Sequence, residues 1–180
     1  MPKREFYNIV AQFLDNLAKK NKENNGICNL GMWNGKEIVY MVQSANDKYM
    51  LLTVGSTVPA YCSALGKAVL AYLPDEAVEN YIQRTEFVTF TESTVNSAER
   101  LRADLRAVRE KGYALMDDEL YPGLKGLALP VINGSAPVRY AVSVTQTIYG
   151  PASQLVEQML KPLQETVQDI VACMELHNAE

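Results

Sequence analysis

A chain of 180 residues holds a single histidine, His177, close to its C-terminal end. A serine–histidine–aspartate relay would have to run through a terminal segment, where chains commonly fray. A multi-histidine metal site is excluded by count. The three cysteines, Cys28, Cys62 and Cys173, are far apart, odd in number and form no C-x-x-C pair. That pattern argues for small buried thiols and against a disulfide framework or a zinc site. Gly66-Lys67 fails as a phosphate-binding loop, because Tyr61 stands where the first glycine belongs and Ala68 where a hydroxyl should follow the lysine. No cofactor and no metal are expected. The chemistry that remains is non-covalent recognition.

Three features could supply it. Ser143 and Thr145 lie two apart in an otherwise apolar run, with Val142 and Val144 beside them. In a strand that spacing puts both hydroxyls on one face, either the open face of an edge strand or the wall of a pocket. Gly126 falls near Ser143 if the hairpin between them closes at Asn133 to Ala136, give or take a residue, and a glycine in a strand often marks close approach of a ligand or another backbone. The residues from Ala64 onward read as a helix, whose start leaves unpaired N–H groups suited to a carboxylate. Asp117-Asp118-Glu119 is either a solvated turn or the source of one inward carboxylate. Strand alternation sends Asp117 and Asp118 to opposite faces, so at most one of them points inward.

These residues need a scaffold, and its elements are legible. Phe6, Ile9, Val10, Phe13, Leu14 and Leu17 recur at helical steps, and Asn24-Asn25-Gly26 ends that helix. Its apolar stripe must be covered by this domain or by a second copy of the chain. Ile27 to Trp33 and Glu37 to Ser44 flank Asn34-Gly35, a strong hairpin signal because both residues tolerate positive φ. A third strand is expected at Tyr49 to Val54. A helix follows over Ala64 to Leu73, another begins at Pro74-Asp75-Glu76, and a third opens at a capping signal, Asn96-Ser97-Ala98-Glu99, and closes at Lys111-Gly112. Strands are expected over Tyr113 to Met116, Leu124 to Ile132 and Val138 to Thr147, the last two joined at Asn133-Gly134. A long helix containing Val156, Leu160, Leu163, Val167, Ile170 and Met174 ends the chain. Two Asn-Gly hairpins among helices predict an α+β fold with an antiparallel sheet.

Composition narrows the setting. The chain is 48% hydrophobic and 21% charged, as a globular domain should be. No apolar run approaches the roughly 20 residues needed to span a bilayer, and the N-terminal segment carries acids, unlike a signal peptide. A cytoplasmic protein with no membrane partner is expected. The formal net charge is −4 and no basic stripe runs along any element, so this chain alone is not expected to hold DNA.

Five segments together add a family resemblance. Gly55-x-x-Val-Pro-x-Tyr-Cys-Ser-Ala-Leu-Gly-Lys-Ala-Val-Leu-Ala-Tyr-Leu closely resembles the signature of the effector domain of IclR-type transcription regulators. So do Arg109-Glu-Lys-Gly-Tyr-Ala, Met116-Asp-Asp-Glu, Gly123-Leu-Lys-Gly-Leu-Ala-Leu-Pro-Val and Tyr140-Ala-Val-Ser-Val-Thr, in matching order and spacing. The resemblance spans residues 5 to 175. It implies a GAF-like fold, a curved antiparallel sheet of about six strands with flanking helices. It also implies a non-enzymatic sensor of a small organic acid or sugar acid that forms homodimers or homotetramers. Residues 1–23 would be the end of a linker from a winged helix-turn-helix domain, the only route to DNA, and residues 24–180 the effector-binding domain. By motif, the effector would meet backbone N–H groups of Ala64, Leu65 and Gly66, then Asp117, Gly126, Ser143 and Thr145, with Met50 as an apolar wall. The chain departs from the family pattern in having Gly126 where cysteine is common, Thr145 where serine is common, and a turn before Gly123 shorter by a residue than in some members. Two rival readings stay open: a small enzyme using Asp117 as general base, and a dimerisation module whose pocket is filled by Leu65 and Met50.

Overall fold

The computed structural model describes residues 3–21, 26–44 and 53–178, the last two by backbone alone. The elements run α1 (Lys3–Lys20), β1 (Ile27–Trp33), β2 (Glu37–Gln43), β3 (Thr57–Pro59), α2 (Ala64–Leu70), α3 (Asp75–Arg84), α4 (Ala98–Lys111), β4 (Ala114–Asp117), β5 (Leu124–Val131), β6 (Tyr140–Thr147) and α5 (Ser153–Asn178). The six strands form one curled antiparallel sheet in the order β3-β2-β1-β6-β5-β4. This is the expected α+β architecture.

Local chemistry explains the joints. Gly35 turns the first hairpin at φ +98, and Asn34 Oδ1 accepts from the N–H groups of Lys36 and Glu37. Ser97 caps α4 by accepting from Arg100 N–H, and Gly112 ends it in the left-handed region, its N–H donating to Val108 O at 2.8 Å. The third strand departs from expectation. It lies at Thr57–Pro59, while Thr53 and Val54 precede it in a turn and Tyr49–Leu52 fall outside the described residues.

The second hairpin is wider than expected. Its strands stop at Val131 and resume only at Tyr140. Pro137 has no N–H to give a ladder, and the carbonyl of Arg139 is taken by Trp33 N–H of β1 at 2.8 Å. Along β5 and β6 the pairing sets Gly126 opposite Thr145, and Ala128 opposite Ser143.

Two apolar layers sandwich the sheet. On one face α2, α3 and α4 pack Leu65, Ala68, Val69, Val78 and Leu101 against Ile38, Tyr40, Met116 and Ala141. On the other, α1 and α5 pack Val10, Leu14, Leu17, Leu155, Met159, Leu163 and Ile170 against Leu30, Leu127, Val142 and Val144. The α1 stripe is thus covered within the chain, chiefly by α5, β1 and β2.

Candidate functional site

The first turn of α2 is built around small residues. Ser63 precedes the helix in an extended conformation, and its Oγ accepts from Gly66 N–H at 3.1 Å. A side chain at Gly66 would overlap the backbone of Ala60, so only glycine lets α2 lie this close to the strand leading into it. Lys67 N–H donates to Ser63 O. The N–H of Gly66 is therefore spent inside the helix cap.

Below that turn lies a cavity of about 30 Å³. Ser63, Ala64 and Leu65 form its roof, while Tyr40 of β2 and Ser143 and Thr145 of β6 bound it from the sheet. Met116, Leu120 and Leu124 close the remaining side. No charged side chain lines it among the described residues. Ser143 Oγ is fully buried and has no hydrogen-bond partner. Tyr40 is 6% exposed, and no hydrogen bond joins its phenol or the Thr145 hydroxyl to any described residue. A buried hydroxyl without a partner, as Ser143 Oγ is, is uncommon because its desolvation goes uncompensated.

The residues singled out in the sequence separate here. Ala64, Leu65, Ser143 and Thr145 share the cavity. Asp117 does not face it. Along β4, Met116 turns toward α2, so Leu115 and Asp117 turn the other way. The Asp117 carboxylate is 55% exposed and accepts from Lys125 Nζ. Gly126 packs beneath α2 instead of opening space: a Cβ there would stand 3.2 Å from Ala64 Cβ and 3.3 Å from Met116 Cε. Met50 lies outside the described residues.

Asp118 does not point inward either. It adopts φ +58, its Oδ1 accepts from Gly123 N–H at 2.7 Å, and Lys125 beside it holds its carboxyl below the usual range. The inward member of the acidic run is Glu119. Lys67 Nζ donates to Glu119 Oε1 at 2.6 Å and to Asp104 Oδ2 at 3.0 Å, with the Lys67 and Glu119 side chains 3% and 7% exposed. Burial outweighs Lys67 and pushes the Glu119 carboxyl up. Glu119 Oε2 has no partner. Sequence reading missed this cluster and also Tyr40. The available signal was Lys67 itself, a lone cation in a helix of otherwise apolar and small residues, which demands a buried counter-charge.

Among the described residues that line the cavity none is an activated nucleophile. Cys62, the nearest thiol, is fully buried, and burial together with the Glu119 charge pushes it up to about 12. The cavity offers hydroxyls that donate or accept, N–H groups at the α2 start, and apolar walls.

Comparison with known proteins gives a consistent picture. Residues 2–172 match the family model for the bacterial transcriptional regulator IclR C-terminal domain. The Pca regulon regulatory protein of Pseudomonas putida is 30% identical over 159 residues, covering 86% of this chain and 54% of that protein. The chain spans about half the length of the first curated relatives it matches. Among solved structures, the C-terminal domain of Escherichia coli KdgR superposes with a TM-score of 0.79 at 25% identity, covering 93% of this chain and 95% of that one. The inducer-binding domain of PobR from Acinetobacter, a double mutant in complex with 3-hydroxybenzoic acid, gives a TM-score of 0.81 at 22% identity over 92% and 97% of the two chains.

Proposed function

The chain belongs to the family of bacterial transcriptional regulator IclR C-terminal domains, and from that premise we propose that it senses a small organic acid or sugar acid in the cavity between the α2 start and β6. The observation that carries this reading is Ser143 Oγ, a buried hydroxyl without a protein partner that lines the cavity. Ala64 and Leu65 supply N–H groups for an acid, and Ser143 and Thr145 exchange hydrogen bonds with its other oxygens. Asp117 and Gly126 act indirectly in this reading: Asp117 by holding Lys125, and Gly126 by seating Ala64 close to the sheet.

A cavity of about 30 Å³ has room for about one water molecule. A ligand of several heavy atoms binds only if the cavity widens, and that differential affinity is what shifts a conformational equilibrium. The strand β6 offers a route outward. Ser143 and Thr145 lie on its α2 face, while Gln146, on the opposite face, accepts from Asn21 Nδ2 just beyond α1. In this reading α1 is the end of a linker, so effector binding moves the DNA-binding half of a full-length regulator through β6 and α1. This reading needs no catalytic residue, and Asp117, the candidate general base, is paired with Lys125 outside the cavity.

The small volume favours a second reading, a dimerisation module whose pocket Leu65 fills. Thermal-shift screening against small organic and sugar acids separates the two. The sensor reading expects a concentration-dependent rise in melting temperature for at least one acid. It also expects Ser143→Ala to weaken calorimetric binding of that acid by about 0.5–1.5 kcal/mol. No stabilisation by any acid would leave the dimerisation module.

A further inference from the structure

Tyr40 belongs to no motif, yet it forms the end of the cavity away from β6. Its backbone is pinned to the turn before β3, N–H donating to Ser56 O at 3.0 Å and O accepting from Gly55 N–H at 2.8 Å. It pairs with Gly31 of β1 beside an irregularity in the register between Leu30 and Gly31. A side chain at Gly31 would stand 2.6 Å from Ile38 Cγ2 and 2.9 Å from Leu65 Cδ1, so the missing Cβ is what lets Leu65 sit beside the Tyr40 ring in this layer. Among the described residues no hydrogen bond is made by the Tyr40 hydroxyl, and unlike Ser143 Oγ that oxygen is not sealed from solvent. A tyrosine carries an apolar ring and a polar tip that ordinarily finds a partner, and Tyr40 lines the same cavity as Ser143, whose Oγ is buried without one.

The separation of the two hydroxyls sets the ligand's form. Gly31 pairs with Tyr40 on one side and with Ala141 on the other, so β2 and β6 are two strand spacings apart. That is about 10 Å between backbones, with the Tyr40 and Ser143 side chains turned onto the same face.

We propose that Tyr40 is the specificity-determining residue of the cavity, its phenol reading a second oxygen function, a hydroxyl or keto group, at the end of the acid opposite the one held by β6 and α2. The proposal rests on the sensor reading and deepens it. The phenol stays protonated because burial raises its pKa, so it donates as well as accepts.

Matched pairs of acids test it: lactate with propionate, 3-hydroxybutyrate with butyrate, malate with succinate, 4-hydroxybenzoate with benzoate. Each is titrated calorimetrically into the parent, Tyr40→Phe and Ser143→Ala. The parent should prefer the oxygenated member of the pair it binds best by about ten-fold, the worth of one good hydrogen bond. Tyr40→Phe should bring that preference close to unity, whereas Ser143→Ala should weaken both members. In the free chain, Tyr40→Phe should melt at or above the parent temperature, because it removes a hydroxyl that bonds to no described residue; a residue with a purely structural role would lower it. Retention of the ten-fold preference by Tyr40→Phe overturns the role of Tyr40 while leaving the sensor standing. Failure of the parent to bind either member of every pair overturns the sensor reading and the role of Tyr40 with it.

Discussion

Two glycines of the α2 region sit at close approaches with different tolerances. At Gly66 a Cβ meets main chain, the Cα and carbonyl of Ala60, which cannot move without shifting the strand entry. At Gly126 the neighbours are the Ala64 methyl at 3.2 Å and the end of the flexible Met116 side chain at 3.3 Å. Gly66→Ala is therefore expected to destabilise the chain by about 1–3 kcal/mol or more, as overpacking does, and Gly126→Ala by less than Gly66→Ala. Urea midpoints of the two variants check the order. An equal or reversed ranking would mean that α2 slides freely over Ala60. A missing side chain on a strand does not by itself say what fills the room, and at Gly126 the nearest neighbours are Ala64 and Met116.

At the scale of elements, the buried Lys67–Glu119 pair joins α2 to the segment after β4, and Asp104 brings in α4. Leu120, which follows Glu119, and Ala64, one turn before Lys67, both line the cavity. The pair thus holds two of the cavity's walls together. Thr94 Oγ1 donates to Glu119 O at 2.7 Å and Thr91 Oγ1 to Asp118 O at 2.6 Å, securing the same segment from the loop before α4. Breaking a buried pair leaves an uncompensated charge, so Glu119→Leu and Lys67→Met should each cost about 3–5 kcal/mol. The double variant, with both charges gone, should cost distinctly less than the sum. A double-mutant cycle in urea measures the coupling, and additive losses would show that the two side chains act independently.

For the whole molecule, two layers close over one sheet, and α1 joins the second with Val10, Leu14 and Leu17. Val10, Leu14 and Leu17 are buried within a single chain, while Phe6, Ile9 and Phe13 of the same stripe are half-buried. Other apolar side chains remain exposed, among them Val88, Phe90, Tyr121 and Tyr149, the last 97% exposed. Apolar surface of this kind is a feature of association faces. Sedimentation velocity at micromolar concentration is expected to show a dimer or tetramer, and Phe90→Glu with Tyr149→Glu to shift it toward monomer. A parent that sediments as a monomer would sink this expectation. Among the described residues no helix is long and apolar enough to cross a membrane.

What the sequence by itself determined was local. Asn34-Gly35, the Ser97 cap and Gly112 are encoded within a few residues, by turn and cap chemistry that needs no distant partner. Periodicity placed the helices, and the spacing of Ser143 and Thr145 put both hydroxyls on one face, where the cavity is. Tertiary structure decided the rest. The register of the second hairpin sets Gly126 opposite Thr145 through pairing along the whole of β5 and β6, with a wide loop between Val131 and Tyr140 that the Asn-Gly signal alone does not reveal. The inward carboxylate is Glu119 because Lys67 is buried across from it, and an ion pair that spans the fold leaves no mark on local pattern. Tyr40 faces the cavity because β2, β1 and β6 lie side by side, an adjacency set by long-range pairing. Short-range steric and hydrogen-bonding rules can be read along a chain, but which unsatisfied polar groups converge depends on how the layers close over the sheet.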